Sequence, residues 1–229
     1  MVTSFDVVRR RAEERKGGAA ALQAMLPSLP DHDALRAMPD DRILSEMTRR
    51  IFYSGFVQKV IDAKWPGFED AFSGFDPAFL NIAPDEYWHS LTSDERIIRN
   101  GAKIMSVRAN AAFVRQIADA HGGAGAFFAD WPRDDQAGLM EQLDTRGERL
   151  GGLAGQYFLR AIGRDGFVLT TDVLACLRDA GLPISKSGTT KKDLQLIQQA
   201  FNGWAAQTGL PYTHLSRISA YSIDSPQPH

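Results

Sequence analysis

Three glycines, Gly151, Gly152 and Gly155, stand in the run Leu150-Gly151-Gly152-Leu153-Ala154-Gly155, which leads into an apolar-patterned segment. Residues without a Cβ let the backbone turn tightly and leave amides exposed. Amides gathered beside a helix N-terminus can grip a phosphate. The same glycines also suit a plain helix connection, and both readings stand at this point. Two cationic groups could serve the same chemistry. Lys186, Lys191 and Lys192 cluster after a Pro-Ser-Gly loop, either as a phosphate patch or as solvated lysines. Arg99 and Lys103 are four residues apart, one turn on a helix, and face either a ligand or an ion-pair partner such as Asp94 or Glu95.

The elements that must position these residues read as helices. Phe5 to Arg15 and Ala19 to Met25 are short helical patterns ahead of a Pro27 to Pro30 loop. Pro39-Asp40-Asp41 is a helix start, with Asp40 as the expected N-cap. Ile43, Leu44, Met47, Ile51, Phe52 and Phe56 follow at three and four spacing and predict one buried face. A further helix is expected to stop before Pro66, and Trp65 to Phe72 to add a turn or two. Asp76-Pro77 and Ala83-Pro84-Asp85 begin new elements. Asn100 to Ala118 is the longest pattern, and Gly122 to Trp131 and Asp134 to Leu143 follow. Beyond the glycine run, a Gly-Arg-Asp-Gly turn precedes Phe167 to Leu169, the one extended candidate. The next helix is capped near Thr171 or Asp172. Asp193 to Thr208 and a last helix from Pro211 complete the chain, with a disordered tail expected from Ser222. The fold class is therefore all-α, with about ten helices.

Composition narrows the function classes. A chain of 229 residues with 44% hydrophobic and 24% charged content is a soluble globular protein by class. The net charge of -2 neither demands nor excludes nucleic acid, because a basic patch can sit on a neutral protein. The single cysteine, Cys176, excludes an intrachain disulfide and a cysteine-based zinc site. No apolar run approaches the length of a membrane span, and the N-terminus lacks a signal-peptide core, so a cytoplasmic location is expected.

Several stretches in one order carry a resemblance. They are Ser54-Gly55-Phe56, Phe68-Glu69-Asp70-Ala71-Phe72 and Phe75-Asp76-Pro77, then Ile97-Ile98-Arg99-Asn100-Gly101-Ala102-Lys103-Ile104 with Asn110-Ala111, then Leu150 to Leu182. Together they resemble the helix-hairpin-helix DNA glycosylases, of the DNA-3-methyladenine glycosylase I type, over roughly residues 35 to 215. The resemblance implies two helical lobes around a cleft that holds the base. It places residues 40–165 in one lobe, and 1–39 with 166–222 in the other, all within a single glycosylase-like unit. It implies a monomer that acts on double-stranded DNA with a damaged base, without a membrane partner. It also implies hydrolysis of the N-glycosidic bond of alkylated, 3-methyladenine-like bases in base excision repair.

The departures from the family pattern are specific. The N-terminal segment has no cysteine and only His32, and the C-terminal part offers only His214 and His229, so no zinc or other cofactor is expected. An ungapped match sets Arg50 where the family has an acidic residue that reads the base, and Gln58 where it has a pocket tryptophan. Ala154 falls at the second glycine of the superfamily's hairpin. Thr170 falls at the place of the superfamily's catalytic aspartate, with Asp172 two residues on.

Base excision needs the base out of the stack and held against aromatic or apolar surface. It also needs a carboxylate to stabilise positive charge on the sugar. The candidate carboxylates are Asp172, which could instead only satisfy helix amides, and Glu46, which could instead pair with Arg49 or Arg50. The base-pocket candidates are Phe52, Tyr53, Gln58, Trp88 and Arg50, with core packing as the other reading of the aromatic ones. The DNA-gripping candidates are Gly152, Leu153, Ala154, Gly155 and Gln156, with Lys186, Lys191 and Lys192 flanking them and Arg99 and Lys103 as separate DNA or pocket contacts. A non-catalytic or altered-specificity damaged-DNA-binding protein is the alternative, and a helical protein with lost DNA function is the third.

Overall fold

The computed structural model describes residues 2–224. Among the described residues there are fourteen α-helices, one 3-10 turn and no β-strand. The first seven helices are α1 Phe5–Lys16, α2 Ala19–Ala24, α3 His32–Arg36, α4 Asp40–Tyr53, α5 Gln58–Ala71, α6 Pro77–Ile82 and α7 Asp85–Leu91. Then come α8 Gly101–His121, α9 Ala124–Asp130, α10 Gln136–Arg146 and α11 Gly152–Ala161. The chain closes with α12 Thr171–Asp179, α13 Lys191–Thr208 and α14 Tyr212–Tyr221.

The chain divides into two compact units. One comprises residues 1–30, 132–138 and 165–229, and the other 31–131 and 139–164. Two segments fall in a different unit from the one their sequence position suggests, each for a local reason. Residues 31–39 include α3, which packs on α9 in the second unit. There Gly125 is required, because a Cβ would meet the carbonyl oxygens of Leu35, Met38 and Arg36 at 2.5, 2.7 and 3.1 Å. Residues 132–138 belong with the first unit because the Gln136 side chain bonds both backbone groups of Phe167. Its Nε2 donates to the Phe167 carbonyl at 2.7 Å, and its Oε1 accepts from the Phe167 amide at 2.7 Å.

That bonding also corrects the extended segment. Phe167 to Leu169 forms no strand. Its neighbours serve as side-chain partners instead, with Ser216 Oγ accepting from the Val168 amide at 3.0 Å and Thr213 Oγ1 from the Gly166 amide at 3.2 Å. Buried backbone groups are thus satisfied without a ladder. The core of this unit forms where Phe167 stacks on Phe201 at 4.6 Å and Phe5 meets Trp204 at 5.2 Å.

In the second unit, the core runs from Leu35 through α4, α5, α8 and α9 to Ile162. Helix α8 begins at its N-cap Asn100, whose side chain accepts from the Lys103 amide at 3.1 Å. It ends at Gly122 in the left-handed region. Three boundaries of α4 and α5 differ from expectation. Helix α4 ends at Tyr53, so Phe56, expected on its buried face, lies beyond it and is exposed. Pro39, not Asp40, is the N-cap of α4, and the Asp40 Oδ1 instead accepts from the first amide of α9, Ala124, at 2.7 Å. Helix α5 continues through Pro66. An interior proline costs about 3 kcal/mol, and burial of Trp65, Phe68 and Ala71 on the same helix offsets it. Trp65 lies parallel to Phe68 and Phe75 at 5.0 and 5.5 Å.

The expected tail disorder does not hold at its start. Ser222 is buried, and its hydroxyl bonds the Ser219 carbonyl at 2.7 Å. Residues 225–229, including His229, lie outside the described residues.

Candidate functional site

The glycine run lies in the second unit as a turn between α10 and α11. Arg149 there holds a φ of 61°, a left-handed value rarely taken by a side-chain-bearing residue. Leu150 is buried beneath it. Gly155 is needed for close approach, since a Cβ would fall 2.1 Å from the Leu150 carbonyl oxygen. The turn is clamped from below by Asn110 of α8, which is fully buried. Asn110 Oδ1 accepts from the Glu148 amide at 2.8 Å, and its Nδ2 donates to the Glu148 carbonyl at 3.1 Å. Asn110 stands in one of the stretches that carry the family resemblance, but the sequence gives it no role. A long-range clamp of this kind leaves no local signal.

The gripping set is smaller than expected. Gly152, Leu153 and Ala154 open α11, and the N-cap Gly151 supplies no side-chain bond to their amides. Gly155 and Gln156 are buried, so they are turned into the protein rather than toward a phosphate.

Beside this turn opens a cavity of about 620 Å3. Helix α4 contributes Ile51 and the following Ser54, α8 contributes Lys103, and the turn contributes Arg149, Gly151, Leu153 and Ala154. Its volume falls in the range typical of ligand pockets, about 300–1,000 Å3. Lys103 is 8% exposed, and its Nζ donates to the carbonyl oxygens of Ile51 and Ser54 at the end of α4. The rings of Phe56 and Phe52 lie 5.0 and 5.7 Å from the ammonium. Burial, and then the charge of Arg149, hold the Lys103 ammonium below its usual pKa. Arg99 and Lys103 do not form the expected one-turn pair. Arg99 precedes the N-cap and is exposed beside Glu95 at 4.0 Å, whereas Lys103 turns inward.

The remaining candidates of this unit divide by burial. Phe52 and Trp88 are 0% and 1% exposed and pack against Phe68 and Phe72. They are therefore core residues and not base-stacking surface. Tyr53 is half-buried, and its hydroxyl bonds Asp62. Burial, and then that bond, raise its pKa. Arg50 lies over the Tyr53 ring at 5.0 Å, and its Nε donates to the Glu46 carboxylate at 2.6 Å. Gln58 is exposed at the start of α5. A carboxylate that sequence reading left without a role, Glu69, accepts from both Arg42 nitrogens and Ser45 at 2.9 Å and from Trp65 at 3.0 Å. Burial alone would raise its pKa, but the Arg42 and Ser45 bonds, the Arg42 charge and the Trp65 bond outweigh it and hold it low.

The first unit holds the other candidates. Thr170 is the N-cap of α12, its hydroxyl accepting from the Val173 amide, and this corrects the cap expected at Thr171 or Asp172. Asp172 stands in the first turn of that helix, half-buried. Lys191 and Lys192 are exposed at the start of α13, and Lys186 is exposed in the preceding loop. The turn that they were expected to flank is in the second unit. His214 Nε2 bonds the Pro27 carbonyl at 2.9 Å. Among the described residues, no group of three or more His, Cys, Asp or Glu could hold a metal ion. No helix among them is long and apolar enough to cross a membrane.

Comparison with solved structures finds a mutant of 3-methyladenine DNA glycosylase I from Staphylococcus aureus. It is 17% identical over 55% of this chain and 77% of that one, with a TM-score of 0.49. A second 3-methyladenine DNA glycosylase I is 18% identical over 63% and 86% of the two chains, at 0.48. No curated protein matches. The methyladenine glycosylase family model matches residues 32–148, just over half of the chain and nearly all of the sequence from α3 to the clamped turn. On that match, the chain belongs to the methyladenine glycosylase family.

Proposed function

We propose that this chain hydrolyses the N-glycosidic bond of alkylated bases in double-stranded DNA. One observation carries the reading beyond family membership. The second unit pairs a clamped turn, with a helix start lacking a side-chain cap, and a cavity lined by Lys103 and Arg149. Helix-start amides and cations suit the DNA backbone, and the cavity suits an extruded base. An alkylated base is a good leaving group, so positioning and electrostatic support for the sugar can carry the reaction with little acid catalysis. Asp172 and Glu46 are the carboxylates proposed for that support. Lys186, Lys191 and Lys192 are proposed to add backbone contacts, and the chain to act in the cytoplasm as a monomer without a metal.

The test is release of methylated bases from alkylated duplex DNA. Wild type is expected to release them, and Asp172→Asn and Glu46→Gln each to slow release by about 10²-fold, the usual effect of removing one electrostatic group. No release by wild type would overturn the reading. Equal rates in both variants would overturn the carboxylate roles. The ion pair between Glu46 and Arg50 favours one second reading, a protein of altered lesion specificity. Binding of lesion duplexes without release would be its signature.

A further inference from the structure

Lys103 is the one buried lysine among the described residues, and it lines the cavity beside the clamped turn. No carboxylate is among the lining residues, so the wall offers no counter-charge that would hold a proton on its amine. Glu46 is held by Arg50, and Asp144 sits against Gly151. Burial and the charge of Arg149 both work against the ammonium. Together they make the free amine more available than on an ordinary exposed lysine. A desolvated lysine beside a second cation is the usual setting of an amine nucleophile, which reacts with carbonyl groups.

The hydrogen bonds of Lys103 suit that use. Its Nζ donates to the carbonyl oxygens of Ile51 and Ser54. Around a tetrahedral nitrogen, Cε takes one position and these two N–H bonds take two more. The remaining position holds the third proton of the ammonium or the lone pair of the amine. The two carbonyls thus hold the nitrogen in place without occupying its lone pair. Hydrolysis of an N-glycosidic bond supplies a carbonyl of the right kind. The abasic sugar it leaves is a hemiacetal, whose ring opens to an aldehyde at the anomeric carbon.

From this geometry we infer that Lys103 captures the abasic product reversibly, as an imine with its aldehyde. The lone pair of the amine adds to the anomeric carbon, the aldehyde oxygen leaves as water, and a C=N bond replaces the C=O bond. Counted from the ammonium, two protons depart with that oxygen, one stays as the iminium N–H, and the charge is unchanged. The carbonyls of Ile51 and Ser54 remain as acceptors for that N–H. Addition of water reverses the step. Arg149, on the same wall, suits the backbone phosphate of the captured nucleotide. The inference rests on the reading of the chain as a DNA glycosylase and adds a covalent hold on its product. As a free amine, Lys103 also sets no charge of its own against the positive charge of a methylated purine nucleotide.

The experiment mixes the full chain with duplex DNA that already carries an abasic site, made by removing a uracil with a separate enzyme. Sodium borohydride then reduces any C=N bond to a stable C–N bond. A denaturing gel reads the covalent protein–DNA adduct, and mass spectrometry of its peptides locates the modified amine. Wild type should form the adduct, with the modification on Lys103. Lys103→Arg keeps the cation and its donors but cannot form the imine, and Lys103→Met removes the amine altogether. Both should lose the adduct, and thermal melting of Lys103→Arg establishes that the loss is not one of folding. No adduct in wild type would overturn the inference. So would an adduct on another lysine or the N-terminal amine, or one that persists in Lys103→Arg. Because the abasic site is supplied, the result does not depend on base excision. An adduct on Lys103 without release of methylated bases from alkylated duplex would leave the inference standing and fell the glycosylase reading. Release without an adduct would overturn the inference alone.

Discussion

Removal of the Asn110 side chain tests the turn most directly. Asn110→Ala breaks two hydrogen bonds, at 2.8 and 3.1 Å, that join α8 to both backbone groups of Glu148. A net hydrogen bond contributes about 1 kcal/mol, and a partner left buried and unpaired costs about 1–3 kcal/mol. Asn110 is fully buried, and Glu148 is an exposed residue whose backbone lies partly within the protein, so water can reclaim some of its groups. The expected loss is therefore about 2–4 kcal/mol. For a chain of this size, each kcal/mol lowers the melting temperature by about 2–4 °C, which gives a drop of about 5–15 °C. Urea unfolding and calorimetry read the loss. Asn110→Asp is the sharper variant, because a carboxylate keeps the acceptor for the Glu148 amide but sets a negative oxygen against the Glu148 carbonyl. It should be no more stable than the alanine variant. If Asn110→Ala costs less than about 0.5 kcal/mol, or Asn110→Asp melts with wild type, the clamp does not hold the turn.

Two further perturbations follow from the same packing. Glu69→Gln should lower stability by about 1–3 kcal/mol at neutral pH, since charge-assisted bonds from Arg42 are lost. The pH dependence has a definite sign. The folded pKa of Glu69 lies below its ordinary 4.5, so its stabilisation is present above that value and is lost as pH falls through the folded one. Urea midpoints taken between pH 7 and pH 3 should fall less steeply for Glu69→Gln than for wild type, and parallel curves would exclude the effect. Gly125→Ala forces a methyl group against three carbonyl oxygens of the α3 region. It should cost about 1–3 kcal/mol, read as a lower urea midpoint with an unchanged slope, and an unchanged midpoint would mean that α3 yields.

The helices were legible because their signals are local. Apolar spacing in α4 and α8 and Asp76-Pro77 ahead of α6 each act within a few residues. Pro66 misled because tertiary burial of Trp65 and Phe68 outweighs a local breaker. Phe167 to Leu169 reads as a strand from its apolar residues, yet its partners come from Gln136 and Ser216, which no local pattern announces. The glycine turn and Lys103 were each legible as candidates, but not as neighbours. It was not legible that Lys103 points inward, that Asn110 clamps the turn, or that Phe52 and Trp88 are sealed in the core. Each depends on which face of a helix meets another element far along the chain.

The contacts of α1 bear on the order in which the chain matures. The Phe5 amide bonds Gln207 across 202 positions of sequence, and the Thr3 carbonyl accepts from Trp204. Helix α1 is therefore made long before the helix it packs against, α13. In the interval, every residue of the second unit has been made, since that unit ends at residue 164. Loop closure grows in cost only with the logarithm of length, so the final docking of α1 is slow to begin and inexpensive to complete. Until α13 emerges, the apolar face of α1, with Phe5, Val8 and Ala12, has no ring of Trp204 to meet. Nascent chains stalled before α13 thus carry the Phe5, Val8 and Ala12 face of α1 without its Trp204 partner, the state in which chaperone capture and aggregation compete.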